Sequence, residues 1–289
     1  AKAFTADNNT VRNEAERAYH AALAASPHAV MMALVDILVA QPDTTVRSVA
    51  AVMVRQFIRT HWVTAPADMH KALQDKLLAC FAKEPEALLR RRLCHAIAQV
   101  CSMVPEGDTE GVSSWATTVL PMAVAACHEP DAPRRASGIF LVAKTLEFSP
   151  EGCIKAQAQP LQEAFCRLLA DTDAEVRVNA SKTAAQFLIR LDSKEFRAAI
   201  APLGVIATVL GVFGGFLQAG DEQRARAILG DLDNIACITP TSFKPHLAEV
   251  LAAVKQVTLC DTLDVDTRKM ALGLLVTIAE AAGGVCVYV

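Results

Sequence analysis

Arginine recurs down this chain at nearly one interval: Arg12, Arg47, Arg90, Arg134, Arg177, Arg226 and Arg268, with gaps of 35, 43, 44, 43, 49 and 42 residues. A period in the forties is that of two-helix units stacked side by side, each burying its apolar face against its neighbours. A second regularity accompanies the first. Acidic residues stand four positions before five of the seven arginines, at Asp43, Glu86, Asp173, Glu222 and Asp264, while Asn8 and Pro130 hold that place before Arg12 and Arg134.

The residues after each arginine give the period its physical content. Arg47 is followed by Val49, Ala50, Met53, Val54, Phe57 and Ile58, and Arg268 by Ala271, Leu274, Leu275, Ile278 and Ala279. This spacing lays an apolar stripe along one face of a helix. Arg177 repeats it with Ala180, Ala184, Phe187 and Leu188. The acid then falls at the helix N-terminus, where free N–H groups and the dipole favour negative charge. The arginine one turn later can pair with that acid or with its equivalent in the adjoining repeat. The spacing therefore predicts a structural ladder of Arg12, Asp43, Arg47, Glu86, Arg90, Arg134, Asp173, Arg177, Glu222, Arg226, Asp264 and Arg268 that fixes stacking register.

The arginines mark the second helix of each pair, expected near 10–24, 43–60, 86–103, 131–147, 173–190, 221–237 and 264–281. First helices are expected near 28–40, 68–83, 113–127, 154–170, 195–218 and 243–259, opened by signals such as Ser26-Pro27, Pro66-Ala67-Asp68, Ser113-Ser114 and Thr241-Ser242. Short turns such as Gln41-Pro42-Asp43, Glu84-Pro85-Glu86 and Gly220-Asp221-Glu222 join the partners. No useful stretch alternates with period two. The expected fold is all-α, an α-α superhelix of about seven helix pairs that occupies residues 1–289 as one array. The missing initial Met and the apolar tail from Gly283 to Val289 read as the edges of a fragment of a longer solenoid.

Charge and chemistry narrow the function. Residues 1–105 carry 12 basic and 9 acidic groups and residues 106–289 carry 16 and 22, a balance that does not favour direct nucleic-acid binding. The nine cysteines form no C-x-x-C pair and read as reduced core residues. The uncharged run Ala198–Ala219 is as long as a membrane span, yet it contains Pro202, Gly204, Gly211, Gly214 and Gly215 and sits where a buried first helix is due; no membrane insertion is expected. Neither H-E-x-x-H, nor a P-loop, nor G-x-S-x-G occurs, so no catalytic residue and no cofactor is assigned. The doublets Cys94-His95 and Cys127-His128 are poor chelates, because adjacent helical residues point apart, and no metal site is assigned. Arg90-Arg91-Arg92 is the one basic cluster, and Trp62 and Trp115 fall near helix ends.

Four segments resemble the N-terminal HEAT repeats of the importin-β (karyopherin-β) superfamily, nearest its karyopherin beta three (importin five) branch. Val46-Arg47-Ser48-Val49-Ala50-Ala51-Val52-Met53-Val54-Arg55-Gln56 is similar to that family's R-Q-M-A-A-V-L-L-R-R helix, and Arg90-Arg91-Arg92-Leu93-Cys94 to its R-K-K-V-C helix start. Gly215-Phe216-Leu217-Gln218-Ala219 matches G-F-L-Q-A, and Ala271-Leu272 through Val276-Thr277 to Glu280 and Ala282 follows A-L-x-x-x-V-T-x-x-E-x-A.

The resemblance implies a HEAT-repeat nuclear transport receptor, an importin, working as a monomer in the cytoplasm, the nucleus and the nuclear pore. Its implied partners are cargo proteins with nuclear localisation signals, Ran-GTP and phenylalanine-glycine nucleoporins. The family's Ran contact maps onto Arg47, Ala51, Val54, Arg55 and Arg59 of the second repeat and Arg90, Arg91 and His95 of the third. Nucleoporin contacts map to grooves between the first helices near 154–170 and 195–218. The competing readings are another HEAT-repeat scaffold of a multiprotein complex, such as a phosphatase scaffolding subunit, and a helical-repeat DNA glycosylase, which needs a basic concave face.

Overall fold

Several of the arginine-marked helices open on a side chain that satisfies otherwise orphaned N–H groups. Asp43 accepts from the backbone N–H of Thr45 at 2.9 Å and Val46 at 3.3 Å, opening the helix Thr44–His61. Asp173 accepts from Val176 N–H at 3.0 Å and Asp221 from Arg224 N–H at 3.1 Å at two later second helices. The computed structural model describes residues 8–103, 109–149, 151–190 and 204–283; the side chains of 109–117, 151, 153, 282 and 283 lie outside that description. Outside it too fall Trp115, the Ser113-Ser114 side chains, Cys153, the stretch 195–203 of an expected first helix, and the tail 284–289 with Cys286.

The described residues are helices and turns throughout. Two units divide the chain, Ala1–Met122 and Ala123–Val289. In the first, α1 (Asn9–Ala25), α2 (Pro27–Ala40), α3 (Thr44–His61), α4 (Ala67–Lys83) and α5 (Ala87–Cys101) follow in order, and α6 (Thr109–Ala126) runs across the boundary. α2 pairs with α3 and α4 with α5, while α3 stacks on α5 and α2 on α4. First helices therefore form one row and second helices another.

The second unit repeats the arrangement with α7 (Ala132–Leu146), α8 (Glu151–Ala156), α9 (Ala158–Leu169), α10 (Ala174–Arg190), α11 (Val205–Gln218), α12 (Glu222–Ile238), α13 (Leu247–Thr258) and α14 (Val265–Gly283). Its second-helix row is α7, α10, α12 and α14, and α9, α11 and α13 pack beside their partners α10, α12 and α14. Small residues let the rows close. A Cβ added to Gly138 would stand 2.8 Å from the backbone of Ala126 and Cys127, so α7 meets the end of α6 at backbone distance. Phe165 of α9 and Phe187 of α10 fill the core with ring centroids 5.3 Å apart.

Two first helices differ from the expected continuous spans, each for proline's reason. The span 154–170 is broken into α8 and α9 at Gln157, because the ring of Pro160 excludes the carbonyl of Ala156 and supplies no N–H to it. The span 243–259 starts as α-helix only at Leu247, after a 3-10 turn over Pro240–His246 that contains Pro245. α11 ends in a left-handed Gly220, φ +72°, with Asp221 N–H donating to Phe216 O at 2.9 Å and Gly220 N–H to Leu217 O at 3.0 Å. Among the described residues no helix is long and apolar enough to cross a membrane.

Candidate interaction surface

Each second helix places an arginine in its first turn, and the first question is where that charge goes. Arg47 forms an ion pair with Glu84, a residue 4 % exposed in the next inter-helix turn, and Glu84 also accepts from Glu86 N–H at 3.0 Å. Arg90, 2 % exposed, turns back to donate to the carbonyls of Glu84 at 2.9 Å and Pro85 at 2.7 Å. Arg177 does the same to Asp171 at 2.7 Å and Thr172 at 3.0 Å. A buried guanidinium is tolerated only with such partners.

At the start of α7 the two jobs fall to one side chain. Arg135 donates through Nε and Nη2 to the two carboxylate oxygens of Asp171, at 2.8 and 3.0 Å, while its Nη1 reaches Pro130 O at 2.6 Å. The arginine that crosses to Asp171 here is Arg135, next to the predicted Arg134. Asp131 stands four residues before it and supplies the acid that Pro130 lacked. The guanidinium of Arg135 holds the Asp171 carboxyl below its ordinary range. Arg226 reaches Asp264 and Thr267, both at 3.2 Å, and Glu222 accepts from Asp264 N–H at 3.0 Å and from the Thr267 hydroxyl. Arg268 reaches Asp261 at 3.1 Å, and Arg12 donates to Asn9. The acids that cross between repeats in the first two cases, Glu84 and Asp171, lie two positions before the predicted Glu86 and Asp173; Asp173 caps its helix instead.

The eight residues mapped to a partner contact separate by burial. Ala51 and Val54 are 0 % exposed and Arg90 is 2 %, so these three face the core or the turn and not a partner. Ala51 and Val54 follow the same 3.6-residue phase as Val46, Ala50, Phe57 and Ile58, which the resemblance did not resolve. Arg55, Arg59 and Arg91 are exposed, and Arg47 and His95 partly so. Two further residues join them that sequence reasoning missed. Val52 on α3 is 52 % exposed and Leu88 on α5 is 63 % exposed, and the spacing 52-55-59 and 88-91-95 puts each on the arginine stripe of its helix. The neighbouring helices α3 and α5 thus each present one exposed apolar residue beside basic ones, the composition of a contact that steers by charge and anchors by burial.

Other candidate features resolve as structure. Trp62 is 8 % exposed and stacks on His70 with centroids 3.9 Å apart, while His70 Nε2 lies 2.9 Å from Trp62 O. Cys94 is fully buried beside a partly exposed His95, and burial raises the thiols of Cys94, Cys101 and Cys127, the last two to about 12. No metal-holding group of three His, Cys, Asp or Glu exists among the described residues. α9 and α11, the candidate groove helices, pack on each other, and α11 turns Thr208, Gly211 and Gly215 outward.

Comparison with known proteins places this geometry. The family described as IPO5-like, TPR repeats matches residues 85–253, more than half of the chain. The solved structure of Kap121p bound to RanGTP superposes with a TM-score of 0.77 at 19 % identity, covering 99 % of this chain and 26 % of that one. Kap121p bound to Nup53p gives 0.76 at 19 %, and Kap121p bound to the SUMO protease Ulp1p gives 0.78 at 20 %, each over 96 % of this chain and 26 % of the other. The chain thus spans about a quarter of the length of these structures, and at such identity the likeness is one of fold, a HEAT-repeat karyopherin array. With the family match over residues 85–253, the chain belongs to the IPO5-like family of the importin-β superfamily of HEAT-repeat proteins.

Proposed function

We propose that this chain is the recognition portion of a nuclear transport receptor, an importin that binds Ran-GTP, cargo bearing nuclear localisation signals and phenylalanine-glycine nucleoporins, and moves between cytoplasm and nucleus. The observation that carries the reading is the family match, joined to the exposed basic stripe of α3 and α5. Structures of a similar fold bound to RanGTP, Nup53p and Ulp1p support the kinds of partner. The Ran contact is formed by Arg55, Arg59 and Arg91 with Val52 and Leu88, flanked by Arg47 and His95. A groove between α9 and α11 takes the nucleoporin repeats. The protein works by binding: two partners that prefer different angles between stacked helix pairs are antagonistic, so cargo release is a coupling free energy and not a reaction.

Immobilised Ran charged with a non-hydrolysable GTP analogue tests this directly. The chain is retained on that matrix and washes off Ran-GDP; equal behaviour on the two matrices overturns the reading.

A further inference from the structure

Two neighbouring second helices of the second unit keep a face open that their stacking does not use. α14 is seated by Thr267, Ala271, Leu274 and Ile278, all buried. The opposite side of the same helix carries Val265, Lys269, Leu272, Val276 and Glu280, and its three apolar members are 53, 51 and 48 % exposed. Their intervals of three and four residues make one narrow stripe. Counted from the arginine of each helix, these positions match Gln223, Ala227, Gly230, Asn234 and Ile238 of α12. α14 already stacks on α12, yet Gln223, Ala227, Asn234 and Ile238 remain exposed. The stripe therefore points away from the row, and it stays open when another helix stacks beside its own.

The order of residues along the stripe defines what fits it. Lys269 and Glu280, both exposed, stand about three turns apart on either side of Leu272 and Val276. A helix lying antiparallel over them must carry a base, two apolar residues and an acid in that order. α14 is itself such a helix.

We propose that a second copy of this chain docks here, with the two α14 helices antiparallel about a two-fold axis. Lys269 of each copy then meets Glu280 of the other at both ends, and Leu272 and Val276 of both copies are buried between. Gly273 lies exposed beside Leu272, with open space where a Cβ would stand, and lets the two backbones approach closely. A stable dimer buries about 800 Å² on each copy, more than one stripe of side chains offers. The exposed Ala227, Asn234 and Ile238 of α12 supply the rest of the contact. The proposal does not depend on the transport reading, and it departs from the monomer that the resemblance implies.

Sedimentation equilibrium on the whole chain reads the association. The natural chain is a dimer at about 50 µM, and Leu272→Glu weakens dimerisation by about tenfold or more with an unchanged helical spectrum. Lys269→Glu and Glu280→Lys each weaken it by setting like charges opposite. The two changes combined restore it, because every pair regains opposite sign. A chain that stays monomeric overturns the proposal, as does a mass that grows past the dimer, the sign of an open head-to-tail contact. So does a dimer that Leu272→Glu leaves intact, or one that the combined reversal fails to restore.

Discussion

Arg135 and Asp171 show what one residue pair contributes to a repeat stack. The pair is bidentate, its side chains are 15 % and 9 % exposed, and the same guanidinium ties the preceding turn through Pro130 O. Replacing Asp171 by Asn removes the charge and leaves Arg135 with a weaker acceptor, and it lowers stability by about 1–2 kcal/mol in a urea melt at neutral pH, a value already discounted for solvent contact. Its pH dependence has a definite sign. Arg135 depresses the Asp171 carboxyl, so the stabilisation is present above about pH 4, the ordinary aspartate range, and disappears as pH falls below it. The natural chain and Asp171→Asn therefore converge in acid, and a gap that stays constant on acidification would assign the loss to packing. Gly138 is the complementary case, a residue whose value is the absence of a side chain. Gly138→Ala places a methyl 2.8 Å from the backbone of α6 and costs about 1–3 kcal/mol in the same melt, where a neutral result would show that the two helices slide apart freely.

At the scale of the element, the sequence disclosed the second helices well because each must solve the same problem in its first turn. At Asp43, Asp173 and Asp221 an acid satisfies free N–H groups, and an arginine stitches the turns; both are visible as spaced charges. Asp43→Ala tests the first of these. It removes two capping bonds to α3 and lowers the melting stability of the chain by about 1 kcal/mol, against no change if solvent serves equally well. What was not legible has physical reasons as well. Arg134 and Arg135 are adjacent and chemically identical, and only the face on which each falls shows that Arg135 reaches Asp171; Asp131, four residues before it, was the available signal. The acids that cross between repeats, Glu84 and Asp171, lie in turns whose local geometry no helical period describes. First helices were less readable than second ones, since their apolar runs carry no charge marker and proline fixes where they break, at Gln157 and before Leu247. The residues proposed for the partner contact were the least legible. A resemblance aligns whole helices, so it gathered the buried Ala51 and Val54 with the exposed Arg55 and Arg59, and passed over Val52 and Leu88, which burial brings out.

For the whole molecule, these residues and elements yield rows of stacked helix pairs in each of its two units. The IPO5-like match and the arginine stripes of α3 and α5 together make recognition of Ran-GTP the central claim. Its most direct test is the affinity of the chain for Ran-GTP by interferometry, beside a triple variant with Arg55, Arg59 and Arg91 changed to Glu. The account predicts measurable affinity for the GTP form, little for the GDP form, and a loss of about tenfold or more in the variant, with a helical spectrum like that of the natural chain. A well-folded variant that binds Ran-GTP as tightly as the natural chain would contradict it.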